Sequence, residues 1–82
     1  MKKKPAKKNI VGRRVASARR TFAPVLTQDD LSGRLARCGV QLDRAAIAKI
    51  EVGIRHVLDY ELRALGRALN VEVDWLLGDE KI

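Results

Sequence analysis

The stretch Leu42-Asp43-Arg44-Ala45-Ala46-Ile47-Ala48-Lys49-Ile50-Glu51-Val52-Gly53 carries its own start and stop signals. Asp43 suits a helix N-cap, because its carboxylate can accept from backbone N–H groups left unpaired in the first turn. Leu42 before the cap and Ile47 at the fourth helical position have the spacing of a hydrophobic staple. Gly53 suits the left-handed residue that closes a helix. The pattern predicts a helix over residues 44–52, with Ile47 and Ile50 three apart on its inner side. The outer side carries Arg44, Ala45, Ala48, Lys49 and Val52. Arg44 stands in the first turn, where the macrodipole disfavours a cation. Two readings of that face stand side by side. One is an ordinary surface helix with two exposed cations. The other is a helix that enters a groove lined with acceptors, such as the major groove of DNA, where Arg or Lys can donate to guanine O6 and N7.

The 82-residue chain is the size of one domain, near the lower end of what supports an independent core. Only Phe22, Tyr60 and Trp75 are aromatic, so the core falls to Leu, Ile, Val and Ala. No period-2 run of β-branched residues and no Asn-Gly or Asp-Gly turn is present, which predicts an all-α fold. The net charge is +7 and is unevenly placed. Residues 1–20 hold nine Lys or Arg and no acid, whereas residues 59–82 hold six acids and three bases. The basic half points to a polyanion. A membrane surface fits poorly: there is no 18-residue apolar run and no apolar segment in residues 1–8 of the kind a signal peptide needs. The single cysteine, Cys38, excludes an intramolecular disulfide and a Cys-based zinc site, and fits the cytoplasm. With one histidine besides, no metal or cofactor constellation is expected.

Along the chain, residues 1–8 form a basic arm that is expected to be disordered and able to release counterions from phosphates. Asn9 is expected to cap a first helix over residues 10–22, with Val11, Val15, Ala18 and Phe22 inward and Pro24 ending it. Thr27 is expected to cap a second helix over residues 28–38, with Asp30 completing a capping box and Leu26 and Leu31 as the staple. Leu31, Leu35 and Cys38 form its apolar stripe, which makes Cys38 a small buried hydrophobe. Gly39 to Asp43 then lead into the helix over 44–52, so the pair reads as a helix-turn-helix. Asp59 is expected to cap a fourth helix over 60–69. Asn70 would be its left-handed end, with Val71 folding back. A fifth short helix, 73–77, holds Trp75, Leu76 and Leu77. Residues 79–82 are a tail after a domain that spans 9–78.

In that order and spacing, the chain resembles the Cro/C1-type, or XRE-like, helix-turn-helix domains of phage repressors and bacterial transcriptional regulators. The likeness is carried by Leu26-Thr27-Gln28-Asp29-Asp30-Leu31, Ile47-Ala48-Lys49-Ile50-Glu51-Val52-Gly53-Ile54-Arg55, Glu61-Leu62-Arg63-Ala64-Leu65 and Ala68 through Gly78. It implies a compact five-helix, lambda-repressor-like domain that binds double-stranded DNA as a homodimer. The helix 44–52 would lie in the major groove, with Arg44, Ala45 and Lys49 as base readers bordered by Ala46 and Ala48. Gln28, Arg55, His56 and Arg14, together with the lysine arm, would contact phosphates. An ion pair between Arg19 and Glu51 would lock the first and third helices. The second helix and the turn after it are longer here than is usual in the family.

Other function classes draw less support. No nucleophile–base pair, metal set or phosphate-cradling glycine loop is present, so an enzyme is not expected. A protein-interaction module on the same fold, such as the antitoxin of a toxin–antitoxin pair, is the alternative. The acidic C-terminal segment with Trp75 and two leucines favours it, and the lack of a separate neutralising segment opposes it.

Overall fold

The computed structural model describes residues 6–78. Among the described residues, five helices follow in order: α1 (Gly12–Arg20), α2 (Gln28–Arg37), α3 (Arg44–Val52), α4 (Asp59–Leu69) and α5 (Val73–Leu77). No strand occurs among the described residues. α3 packs on α1 and α2, and α4 closes the core from the other side against α1, α2 and α5. Val15, Leu31, Leu35, Ile47, Ile50, Leu65, Leu69 and Leu76 are fully buried at its centre. Each aliphatic side chain so removed from water stabilises the fold by roughly 1.5–3 kcal/mol. Among the described residues, no helix is long and apolar enough to cross a membrane.

The start signals act as the side-chain chemistry requires. Thr27 Oγ1 accepts from the Asp30 N–H while Asp30 Oδ2 accepts from the Thr27 N–H, both at 3.0 Å, a reciprocal box at the head of α2. These bonds hold the Asp30 carboxyl below its usual range. Asp43 Oδ1 accepts from the Ala46 N–H at 2.8 Å, and the buried Leu42 and Ile47 sit on either side of that cap. Ser32 Oγ donates to the Leu42 carbonyl at 2.7 Å and ties the turn between α2 and α3 back onto α2.

Four local expectations are corrected. α1 is shorter than residues 10–22: Ile10 lies before it, three-quarters exposed, and Phe22 lies past its end. α2 stops at Arg37, and Cys38 is exposed. The reason is the turn at Gly39 (φ 81°), which lets the Val40 N–H reach back to the Leu35 carbonyl at 2.9 Å and carries Val40, not Cys38, into the core. Asp59 is the first residue of α4 and not its cap; Glu61 Oε1 accepts from the Leu58 N–H at 3.0 Å. Of the basic arm, residues 1–5 lie outside the described residues, as do residues 79–82 of the tail. Residues 6–8 are described, and Lys8 donates its backbone N–H to the Gly53 carbonyl at 2.8 Å.

Candidate nucleic-acid interface

The outer face of α3 spans Arg44, Ala45, Ala48, Lys49 and Val52. At 100° per residue these five fall within about 140° of arc. Arg44, Ala45, Lys49 and Val52 are exposed; Ala48 and Ala46 are half-buried, the latter against the core. The face is a low ridge with a cation near each margin and methyl groups between. A helix about 10–12 Å across fits a major groove about 12 Å wide. Arg44 lies 3.9 Å from Asp29 Oδ2, and both side chains are mostly in water. A pair of that length and exposure holds its partners weakly, so Arg44 can be redirected at little cost.

Behind the ridge, a charged cluster fixes the helix. Arg19 donates from Nε to Glu51 Oε2 and from Nη2 to Glu51 Oε1, both at 2.8 Å, and from Nη1 to the Leu26 carbonyl at 3.0 Å. The two side chains are about nine-tenths buried, and Glu51 raises the Arg19 guanidinium above its usual range. The structure thus brings Arg19 and Glu51 together in a bidentate fork, the geometry that best repays desolvation. Gln28 joins them: its Nε2 donates to Glu51 Oε1 at 3.1 Å. The amide expected against a phosphate is therefore turned inward, while the head of α2 stays at the rim of the face.

Arg55, expected against phosphate, faces Glu61. Its Nη1 and Nη2 donate to the two carboxylate oxygens of Glu61 at 2.9 and 3.2 Å, and Nη1 also to the His56 carbonyl at 2.7 Å. Glu61 is 4% exposed, and the Arg55 fork draws its carboxyl below the usual range. Arg55 therefore binds the loop after α3 to the head of α4. His56 is exposed beside it. Arg14, another phosphate expectation, stacks over the Trp75 ring at 5.0 Å and joins α1 to α5.

Two residues that matter to the site were not read as such from the sequence. Asn9 stands two residues before Val11, the N-cap of α1, and its Oδ1 accepts from the Val11 and Gly12 N–H groups at 3.0 and 2.8 Å. Its Nδ2 also donates to the carbonyls of Ile50 (3.0 Å) and Arg55 (2.8 Å), at the far end of α3. Gly12 lies where a Cβ would overlap the Ile50 carbonyl oxygen and stand 2.8 Å from that of Glu51. The local caps of Asn9 were legible; its reach across more than forty residues leaves no periodic trace. A glycine in a first turn is the one signal that could have suggested a close approach of backbones.

Comparison with family models, with curated proteins and with solved structures returned no match.

Proposed function

We propose that this chain is a sequence-specific double-stranded DNA-binding transcriptional regulator, a repressor of the Cro/C1-type family with a lambda-repressor-like domain. It acts in the cytoplasm as a homodimer on a near-palindromic operator. α3 would enter the major groove, with Arg44 and Lys49 donating to guanine edges and Ala45 making apolar contact. The observation that carries this reading is the contrast across α3. Its outer face is exposed, shallow and cationic, while its inner face is pinned by the Arg19–Glu51–Gln28 cluster. The small side chains on the face supply few polar contacts. Discrimination between sequences would therefore lean on phosphates and DNA shape as well as on the two cations.

The test is selection of bound sites from a random duplex pool at near-physiological salt, with wild type and Arg44→Ala in parallel. A two-fold-symmetric consensus that relaxes at one position per half-site in Arg44→Ala is the expected result. Binding without enrichment, fading as salt rises, would leave only a basic chain on a polyanion. It would turn attention to the alternative, a protein-interaction module. The C-terminal segment that prompted that alternative is largely taken into the core: Leu76 is fully buried, and Trp75 and Leu77 pack against it.

A further inference from the structure

The cations of α1 divide by face. Arg14 stacks on Trp75 and Arg19 is held by Glu51. Arg13 and Arg20 are exposed, and among the described residues neither has an ion pair or a side-chain hydrogen bond. They stand seven residues apart, two turns, so they share one side of the helix with Ala16 and Ser17 between them. That side lines an open channel of about 640 Å³ together with Glu51 and Val52 at the end of α3. Ala16 and Ser17 keep the floor low. The Thr21 side chain marks one end of the channel, but its hydroxyl donates to the Ala18 carbonyl at 2.7 Å. Glu51 also borders the channel, yet its carboxylate is taken up by Arg19 and Gln28. The channel therefore carries two uncompensated positive charges and no free negative one.

We infer that this channel is a binding track for the sugar–phosphate backbone of one DNA strand, with Arg13 and Arg20 on two phosphates and Ser17 donating between them. The inference rests on the reading of α3 as the groove-borne helix. With α3 in the major groove, a strand bordering that groove passes the Val52 side of the helix, which is the open side of the channel. The two arginines are separated by about 10.5 Å along α1. That separation lets each arginine take a different phosphate of the same strand. Arg55 is engaged by Glu61, whereas Arg13 and Arg20 have no such partner among the described residues.

The experiment measures duplex affinity against salt concentration for wild type, Arg13→Ala/Arg20→Ala and, as a control of equal charge change, Arg37→Ala/Arg63→Ala, on the consensus that the selection returns. Each phosphate contact contributes about 0.9 to the slope of log affinity against log salt. Because the proposed homodimer carries the track twice, the α1 double variant should lower that slope by about 3.6 on the two-fold consensus and leave the preferred sequence unchanged, with its thermal midpoint close to that of wild type. The control pair should leave the slope at the wild-type value. An unchanged slope in the α1 variant, with wild type still selecting a consensus, overturns the track alone. The same holds if the control pair lowers the slope equally. A wild type that selects no sequence overturns both the track and the reading it rests on.

Discussion

At the C-terminal end of α3, three segments of chain close on one another. Gly12 sets α1 against the Ile50 and Glu51 carbonyls, Asn9 donates to Ile50 and Arg55, and Lys8 donates to Gly53. The carbonyls that a helix leaves unpaired at its end are thereby met by protein groups. At the N-terminal end, which begins two residues after the buried Leu42, the helix has its own Asp43 cap, the Ser32 hydroxyl on the Leu42 carbonyl just before it, and the loose 3.9 Å approach of Arg44 to Asp29. One end is an anchor built from residues about forty positions away; the other is a tip supported by its own cap and by the nearer α2. Positional accuracy at the tip is thus supplied from the far end, by contacts that never touch the exposed face.

That division can be broken most severely at Arg19. Arg19→Met leaves Glu51 buried without its cation and should destabilise the fold by about 3 kcal/mol or more, read by chemical denaturation. Adding Glu51→Leu should recover most of the loss, because two apolar side chains then replace two charges; failure to recover would mean that the pair contributes net stability. Next comes Gly12→Ala, which must push α1 off the α3 carbonyls and should cost about 1–3 kcal/mol. Gly33→Ala is its counterpart, since a Cβ there meets nothing within 4 Å. In mid-helix that substitution should stabilise by about 0.5–1 kcal/mol. Asn9→Ala should cost about 1–2 kcal/mol through the lost bonds to the head of α1 and the Arg55 carbonyl left without its donor, while the Ile50 carbonyl keeps the Gly53 N–H. Amide hydrogen exchange should rise around Gly53 in that variant while the first turn of α3 keeps its protection; equal loss at both ends would erase the distinction between anchor and tip.

A smaller effect is expected from pH. Arg55, with help from the Leu58 N–H, holds the Glu61 carboxyl below its ordinary value. The unfolded chain therefore binds a proton at a pH where the folded chain does not. The contribution is complete above the ordinary glutamate value of about 4.3 and is lost as pH falls from there through the depressed folded value. Glu61→Gln should start from a lower thermal midpoint and show a flatter decline across that window; a parallel decline would assign the acid sensitivity elsewhere, with Asp30 the next carboxylate to substitute. The smallest change belongs to the tip. Arg44→Ala should alter stability by no more than about 0.5 kcal/mol, a bound that a thermal melt checks and that a larger loss would breach.

What the sequence made legible follows the same line. Asp43, Gly53, Leu42 and Ile47 are read correctly because caps and staples act within one turn, and Thr27 with Asp30 for the same reason. Asn9 is legible as a residue that serves the head of the first helix, which is the local half of what it does. The other half lies about forty residues away and has no period to betray it. Cys38 was misplaced because a stripe extended by one residue looks the same as one that ends in a left-handed glycine; only the bond from Val40 to Leu35 distinguishes them. The partner of Arg55 was not legible, because a cation after a helix looks unengaged until the residue it faces is known. Glu61 is only six positions on, but across a loop, where spacing has no fixed geometry.

The exposed face of α3 has one more consequence, for how such a chain can change over generations. Arg44, Ala45, Lys49 and Val52 line no part of the core, and among the described residues none of them takes part in the anchor. Codons at these four positions can drift together without being screened by the folding of the rest. A lineage of this chain can thus sample new surface chemistries on an inherited scaffold, one substitution at a time, with every intermediate still folded.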